Sequence, residues 1–155
     1  MTAEIICVGT ELLLGNIVNT NAAFLSEKLA YLGINCYFQT VVGDNRDRLL
    51  SVINTALSRA DILIFSGGLG PTEDDLTKET VAEALGKKLI RDKKAEQEIA
   101  DYFALRGRIP TDNNWKQADV IEGCEILYNN NGTAPGIFVS EGEKTVILLP
   151  GPPLE

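Results

Sequence analysis

Short apolar runs that alternate with helical spacing constrain this chain more than any other feature. Ile5 to Val8, Ile34 to Val42 and Ile62 to Phe65 read as buried strands. Each is followed by a stretch in which apolar residues recur three and four apart. Ala22, Leu25, Leu29 and Leu32 share one face of a predicted helix from Asn21 to Leu32, stopped by Gly33. Leu49, Val52, Ile53, Ala56 and Leu57 share the next face, with Asp44 as its expected N-cap and Asp47 completing an approximate capping box. Further helices are expected over roughly Leu76 to Leu85 and Lys93 to Arg106, and a short one within Pro110 to Ala118. Glu125 to Tyr128, Gly136 to Val139 and Lys144 to Leu149 read as strands, the last two joined by a hairpin at Glu141-Gly142-Glu143. This alternation gives βαβ units, hence an α/β fold with a mostly parallel sheet covered on both faces. A length of 155 residues suits one domain with a sizeable core. The chain stops soon after Pro150-Gly151-Pro152-Pro153, where a covering helix is expected, so it reads as part of a longer protein.

In such sheets ligands sit beyond the carboxyl ends of the strands. Three segments should gather there: the Thr10–Asn19 loop, Gly67–Asp75, and Leu149–Glu155, with Asn131–Gly136 as a fourth candidate. The most informative is Gly67-Gly68-Leu69-Gly70-Pro71-Thr72-Glu73-Asp74-Asp75. Glycines let the backbone approach a ligand and aim N–H groups at phosphate oxygens. The acidic residues have the wrong sign for a bare anion, but they make sense if a divalent cation sits between them and a phosphate. The loop lacks the Lys-Ser/Thr ending of a P-loop and the spacing of a dinucleotide fingerprint. A second reading stays open, in which the glycines serve only the strand–helix turn and the acids cap the helix dipole.

Asp75 is the best candidate for a catalytic, metal-ligating or water-orienting carboxylate, with Asp74 and Glu11 as further metal ligands and Glu11 as its catalytic partner. Thr10, Gly67, Gly68, Gly70, Thr72, Thr77, Thr133 and Gly136 are the candidate substrate contacts. Asn19, Thr20 and Asn21 fit helix capping, with ligand contact as an additional reading. Lys78 and Lys116 are candidate phosphate partners, and Trp115 is either core or a stacking surface for a base.

Composition removes other mechanisms. The chain has no histidine, which excludes Ser-His-Asp and Cys-His catalysis and His-ligated zinc. A net charge of −8 argues against a basic face for nucleic acid. Cys7, Cys36 and Cys124 show no paired spacing, so neither a disulfide framework nor a zinc site is expected. Apolar runs too short to span a bilayer and no signal-peptide pattern lead us to expect a cytoplasmic protein without a membrane partner.

Several motifs together carry a resemblance. Gly9 to Gly15 (GTELLLG), Asn19 to Ala22 (NTNA), Gly67 to Glu79 (GGLGPTEDDLTKE), Asn131 to Gly136 (NGTAPG) and PGPP from Pro150 resemble the amino-terminal domain of the CinA family of competence/damage-inducible proteins. That domain is similar to MoaB/MogA-like molybdopterin-binding domains, which implies a three-layer α/β sandwich. In those relatives the glycine motif and an Asp before a Thr line the pterin-phosphate site, a pair matched by Asp75 and Thr77. The resemblance implies a metal-dependent ADP-ribose pyrophosphatase giving AMP and ribose 5-phosphate. The implied cofactor is a divalent ion, with Mg, Mn and Co as candidates. A small-molecule nucleotide substrate and a homo-oligomer, dimer or trimer, are the expected partners. The alternatives are a molybdopterin or nucleotide-binding module and a non-catalytic fragment that keeps fold and interface. The deamidase domain that many members carry does not lie in these residues.

Overall fold

A computed structural model describes residues 1–155. Eight strands and six helices follow in the order β1 (Thr2–Val8), α1 (Thr10–Leu13), α2 (Thr20–Tyr31), β2 (Asn35–Val42), α3 (Arg46–Arg59), β3 (Ile62–Ser66), α4 (Thr77–Ala84), β4 (Leu89–Arg91), α5 (Lys93–Ala104), α6 (Asp112–Trp115), β5 (Asp119–Ile121), β6 (Glu125–Leu127), β7 (Gly136–Glu141) and β8 (Lys144–Leu149). A 3-10 turn, Lys116–Ala118, links α6 to β5.

Six strands form one sheet in the order β2-β1-β3-β8-β7-β6. β2, β1, β3 and β8 run parallel. β7 and β6 add an antiparallel flank. Alternate residues of the central strands serve opposite faces, as the pleat requires. Ile6, Val8, Leu63 and Phe65 pack against Leu49, Ile53 and Ala56 of α3 and Val81 and Ala82 of α4. Ala3, Ile5, Cys7 and Ile64 pack against Ala22 and Leu29 of α2. The architecture is therefore helix, sheet, helix, the mostly parallel α/β sandwich expected. No helix is long and apolar enough to cross a membrane. All three cysteines are free, and burial pushes the Cys7 and Cys124 thiols up, away from reactive thiolate.

Several local expectations are corrected. Thr10 to Leu13 is a helical turn rather than loop. Asn45, not Asp44, caps α3, its side chain accepting from the Arg48 N–H. Asp44 instead accepts from the N–H and hydroxyl of Thr10 at 2.9 and 2.8 Å, tying the β2 and β1 ends together. β1 starts before its apolar run because Glu4 is accommodated inside the sheet. Glu4 is fully buried, and its carboxylate accepts a bidentate pair from Arg59 (2.8 and 2.7 Å) and the Thr40 hydroxyl (2.8 Å). The hairpin turn is the two-residue Gly142-Glu143, with Glu141 opposite Lys144 and Gly142 at φ 59°. β4 and β5 form an antiparallel ribbon that no periodicity announces, since three residues are too few for a pattern.

Lys78 ties this ribbon to the main body. The sequence nominates it as a phosphate partner, yet only 2% of it is exposed. Its ammonium donates to the carbonyls of Lys116, Gln117 and Asp119 at 2.8, 3.3 and 2.8 Å. Burial lowers its pKa from 10.5 to about 8, against the upward pull of the Glu79 and Asp119 carboxylates. Between these values the unfolded chain holds a proton that the folded protein has shed. Stability attributable to Lys78 therefore rises with pH from 8 to 10.5, and the cost of burying its charge is fully present below 8. We predict that the difference in urea midpoint, wild type minus Lys78→Met, increases across that window. A constant difference would show that Lys78 titrates normally.

Candidate functional site

The carboxyl ends of β1, β3 and β8 open onto a cleft of about 600 Å³, a size ordinary for a small-ligand site. The loops that follow these strands all contribute walls, and the Asn131–Gly136 loop adds Thr133 and Ala134. The sheet topology thus brings together segments more than a hundred residues apart in sequence, as Glu11 and Gly151 illustrate.

The glycine loop is shaped by what its glycines touch. Gly67 has φ 104°, and a Cβ there would lie 2.2 Å from the Val8 carbonyl oxygen. Its N–H donates to the Leu149 carbonyl at 3.0 Å. Gly67 therefore stitches β3 between β1 and β8, and its amide is not available to a phosphate as expected. Thr77 is likewise corrected. It is fully buried, its hydroxyl donates to the Gly67 carbonyl at 2.9 Å, and its N–H donates to the Gly68 carbonyl at 3.2 Å. It braces the loop from behind and does not line the cleft. The N–H groups of Gly68, Leu69 and Gly70 have no acceptor within the protein. These three amides, not Gly67, are the available donors.

Asp75 closes the loop. One of its oxygens, Oδ2, accepts from the Thr72 N–H at 2.9 Å and the Thr72 hydroxyl at 2.6 Å, while the Asp75 N–H donates to the Thr72 carbonyl at 3.2 Å. Gly70 makes room for that carboxylate, since a Cβ there would sit 2.6 Å from Oδ2. The other oxygen, Oδ1, makes no hydrogen bond. Lys116, the other candidate phosphate partner, holds the same loop from outside. Its ammonium donates to the carbonyls of Thr72 (3.0 Å) and Asp75 and pairs with Glu79 at 3.3 Å.

Glu11 repeats the arrangement on the other loop. Its carboxylate folds back over Gly9, where a Cβ would fall 2.6 Å from Oε1. Glu11, Asp74 and Asp75 all line the one cleft, which also has Asp44 and Glu155 on its walls and no lysine or arginine. The carboxylates are spread around it, and no three acidic or cysteine side chains converge as a ready-made metal cage.

The remaining candidates divide. Thr72 and Thr133 line the cleft; Thr10 and Gly136 do not. Thr10 is held by Asp44. Gly136 opens β7 within the sheet, where a Cβ would lie 3.1 Å from the Leu148 carbonyl oxygen. Trp115 packs against the small cluster of Ala95, Ile99 and Ala118 and offers no stacking surface in the cleft. Asn19 caps α2 as expected, accepting from the Ala22 N–H. Asn21 does something local sequence does not signal: its amide donates to the Ser66 hydroxyl at 2.8 Å and the Gly151 carbonyl at 2.7 Å, fixing the PGPP turn over the cleft.

Comparison with known proteins follows the same outline. The family model described as "Probable molybdopterin binding domain" matches residues 4–155. A competence-damage inducible protein of Bacillus cereus (strain B4264) is 61% identical over the whole chain, which covers 38% of that protein. A counterpart from Bacillus thuringiensis (strain Al Hakam) is 59% identical with the same coverage. The chain thus spans 38% of the length of these curated relatives. Among solved structures, CinA from Thermoplasma acidophilum superposes with a TM-score of 0.89 at 39% identity, covering 98% of this chain and 89% of that one. MoaB from Thermus thermophilus superposes with a TM-score of 0.63 at 19% identity, covering 98% and 82%, a likeness of fold alone. A matching family model over nearly the entire chain and a structural relative covered almost completely place this chain in the molybdopterin-binding-domain family, in its CinA branch.

Proposed function

We propose that the cleft binds a phosphorylated pterin or nucleotide as its complex with a divalent cation. One observation carries this reading: three unpaired backbone amides, those of Gly68, Leu69 and Gly70, stand in a cleft lined by five carboxylates and no basic side chain. The amides suit phosphate oxygens. The carboxylates repel them, because like unit charges 4 Å apart cost roughly 1 to 4 kcal/mol at effective dielectrics of water or a protein surface. A cation carried with the ligand reverses that sign. The family description supports a pterin phosphate as the ligand class.

The residues present fit such an ion. Asp75 Oδ1 and the carboxylates of Glu11 and Asp74 are hard oxygen donors without protein partners. No three of them converge, so an ion here would draw on one or two carboxylates and complete its shell with ligand phosphates and water, as magnesium does. When bound, such an ion polarises a phosphoryl oxygen and acidifies a coordinated water.

A second reading, hydrolysis of ADP-ribose to AMP and ribose 5-phosphate, is favoured by the position of Asp75. It combines one anchored oxygen with one free oxygen beside the loop amides. One experiment tests both readings. With Mg²⁺ and ADP-ribose at 100 times Kd, the melting curve should show stabilisation of about 2.7 kcal/mol, and EDTA should abolish it. Stabilisation without AMP release supports binding alone, and AMP release supports hydrolysis. Equal stabilisation in EDTA would overturn the cation requirement.

A further inference from the structure

We propose that Gln117 is a ligand-recognition residue of this cleft, donating a hydrogen bond from its side-chain amide to a phosphate oxygen of the bound ligand. The inference rests on the reading of the cleft as a phosphate-ligand site and adds a residue to it. Gln117 lies in the 3-10 turn between α6 and β5, outside every loop that the strand ends would nominate. It is 3% exposed, yet it is part of the cleft wall.

Burying a side-chain amide costs free energy unless its donors and acceptors are matched. Oε1 is matched, because the Thr133 hydroxyl donates to it at 2.9 Å. Nε2 makes no hydrogen bond within the protein, so its two N–H donors are left to whatever occupies the cleft. With the Thr133 hydroxyl bonded to Oε1, the NH₂ end is the one left without a protein partner at the cleft wall. The backbone on either side is held as well. Lys78 clamps the carbonyls of Lys116, Gln117 and Asp119, and Lys116 grips the Thr72 and Asp75 carbonyls. The amide is thus presented by a rigid segment that is itself fastened to the Asp75 loop.

The chemistry of this donor suits the phosphate end of the ligand. A neutral amide meets an anionic oxygen without the desolvation cost of a buried cation, which suits a cleft that has no lysine or arginine on its walls. The Thr133 contact expected from sequence becomes indirect: it orients Gln117.

Gln117→Glu keeps the shape and replaces the donor end by an acceptor. Binding of Mg²⁺–ADP-ribose and of Mg²⁺–pyrophosphate, measured by calorimetry, should weaken about tenfold or more, with both probes affected because the lost contact is to phosphate. Thr133→Val should weaken both severalfold, and Thr133→Ser should bind as wild type because the hydroxyl is retained. These two variants keep the test valid should Gln117→Glu fold poorly. Unchanged affinity for pyrophosphate in a folded Gln117→Glu, or in Thr133→Val, would overturn the role while leaving the cleft reading intact. Failure of the wild type to bind either probe would remove both.

Discussion

Gly67→Ala should lower stability by roughly 3–5 kcal/mol, near the upper end for a single substitution. Two effects add. The residue sits at φ 104°, where a side chain is strained whatever the space. The new methyl would also lie 2.2 Å from the Val8 carbonyl oxygen. That oxygen belongs to a central strand hydrogen-bonded on both sides, so it cannot move aside without disturbing β2 and β3 together. Gly142→Ala is the control. It has φ 59° but nothing within 4 Å of the place its new methyl would take, so it should cost only about 1 kcal/mol of backbone strain. Urea denaturation of the two variants separates clash from strain. Equal losses would mean that the close approach of β1 and the glycine loop has no energetic weight.

Asp75→Asn should reduce metal-dependent ligand binding or turnover by about two orders of magnitude with the fold intact. The substitution is chosen because an asparagine oxygen can still accept from the Thr72 N–H and hydroxyl, which anchor Asp75 at 2.9 and 2.6 Å. The loop closure therefore survives while the charge and the cation-binding oxygen are lost. Asp75→Ala removes both and should also lower the melting temperature. If Asp75→Asn binds Mg²⁺–ADP-ribose as tightly as wild type in calorimetry, the carboxylate serves only to shape the loop and the cation must be held elsewhere. Glu11→Gln offers the same comparison on the loop after β1, where the side chain has no hydrogen bond to lose.

The contrast between Asp75 and Thr77 shows how far local sequence reaches. Both stand in one short motif and both read as ligand contacts. Asp75 reaches the cleft wall, whereas Thr77 turns inward to the Gly67 carbonyl. Likewise Gly67 and Gly68 are adjacent and alike in sequence, but the Gly67 N–H is taken by Leu149 across the sheet while that of Gly68 is free. Gln117 left no trace in the pattern at all. Its position depends on a buried lysine and on a threonine sixteen residues further along.

What the residues determined by themselves was the parallel core, its two apolar faces, the cleft at the strand ends, and the presence of Glu11, Asp74 and Asp75 on its walls. These follow from periodicity and turn chemistry, which act over a few neighbouring residues. Tertiary structure alone decided which amides are free, which hydroxyls are buried and which lysines are clamps, because a hydrogen bond is satisfied by whichever partner the fold brings within about 3 Å, and such partners are distant in sequence.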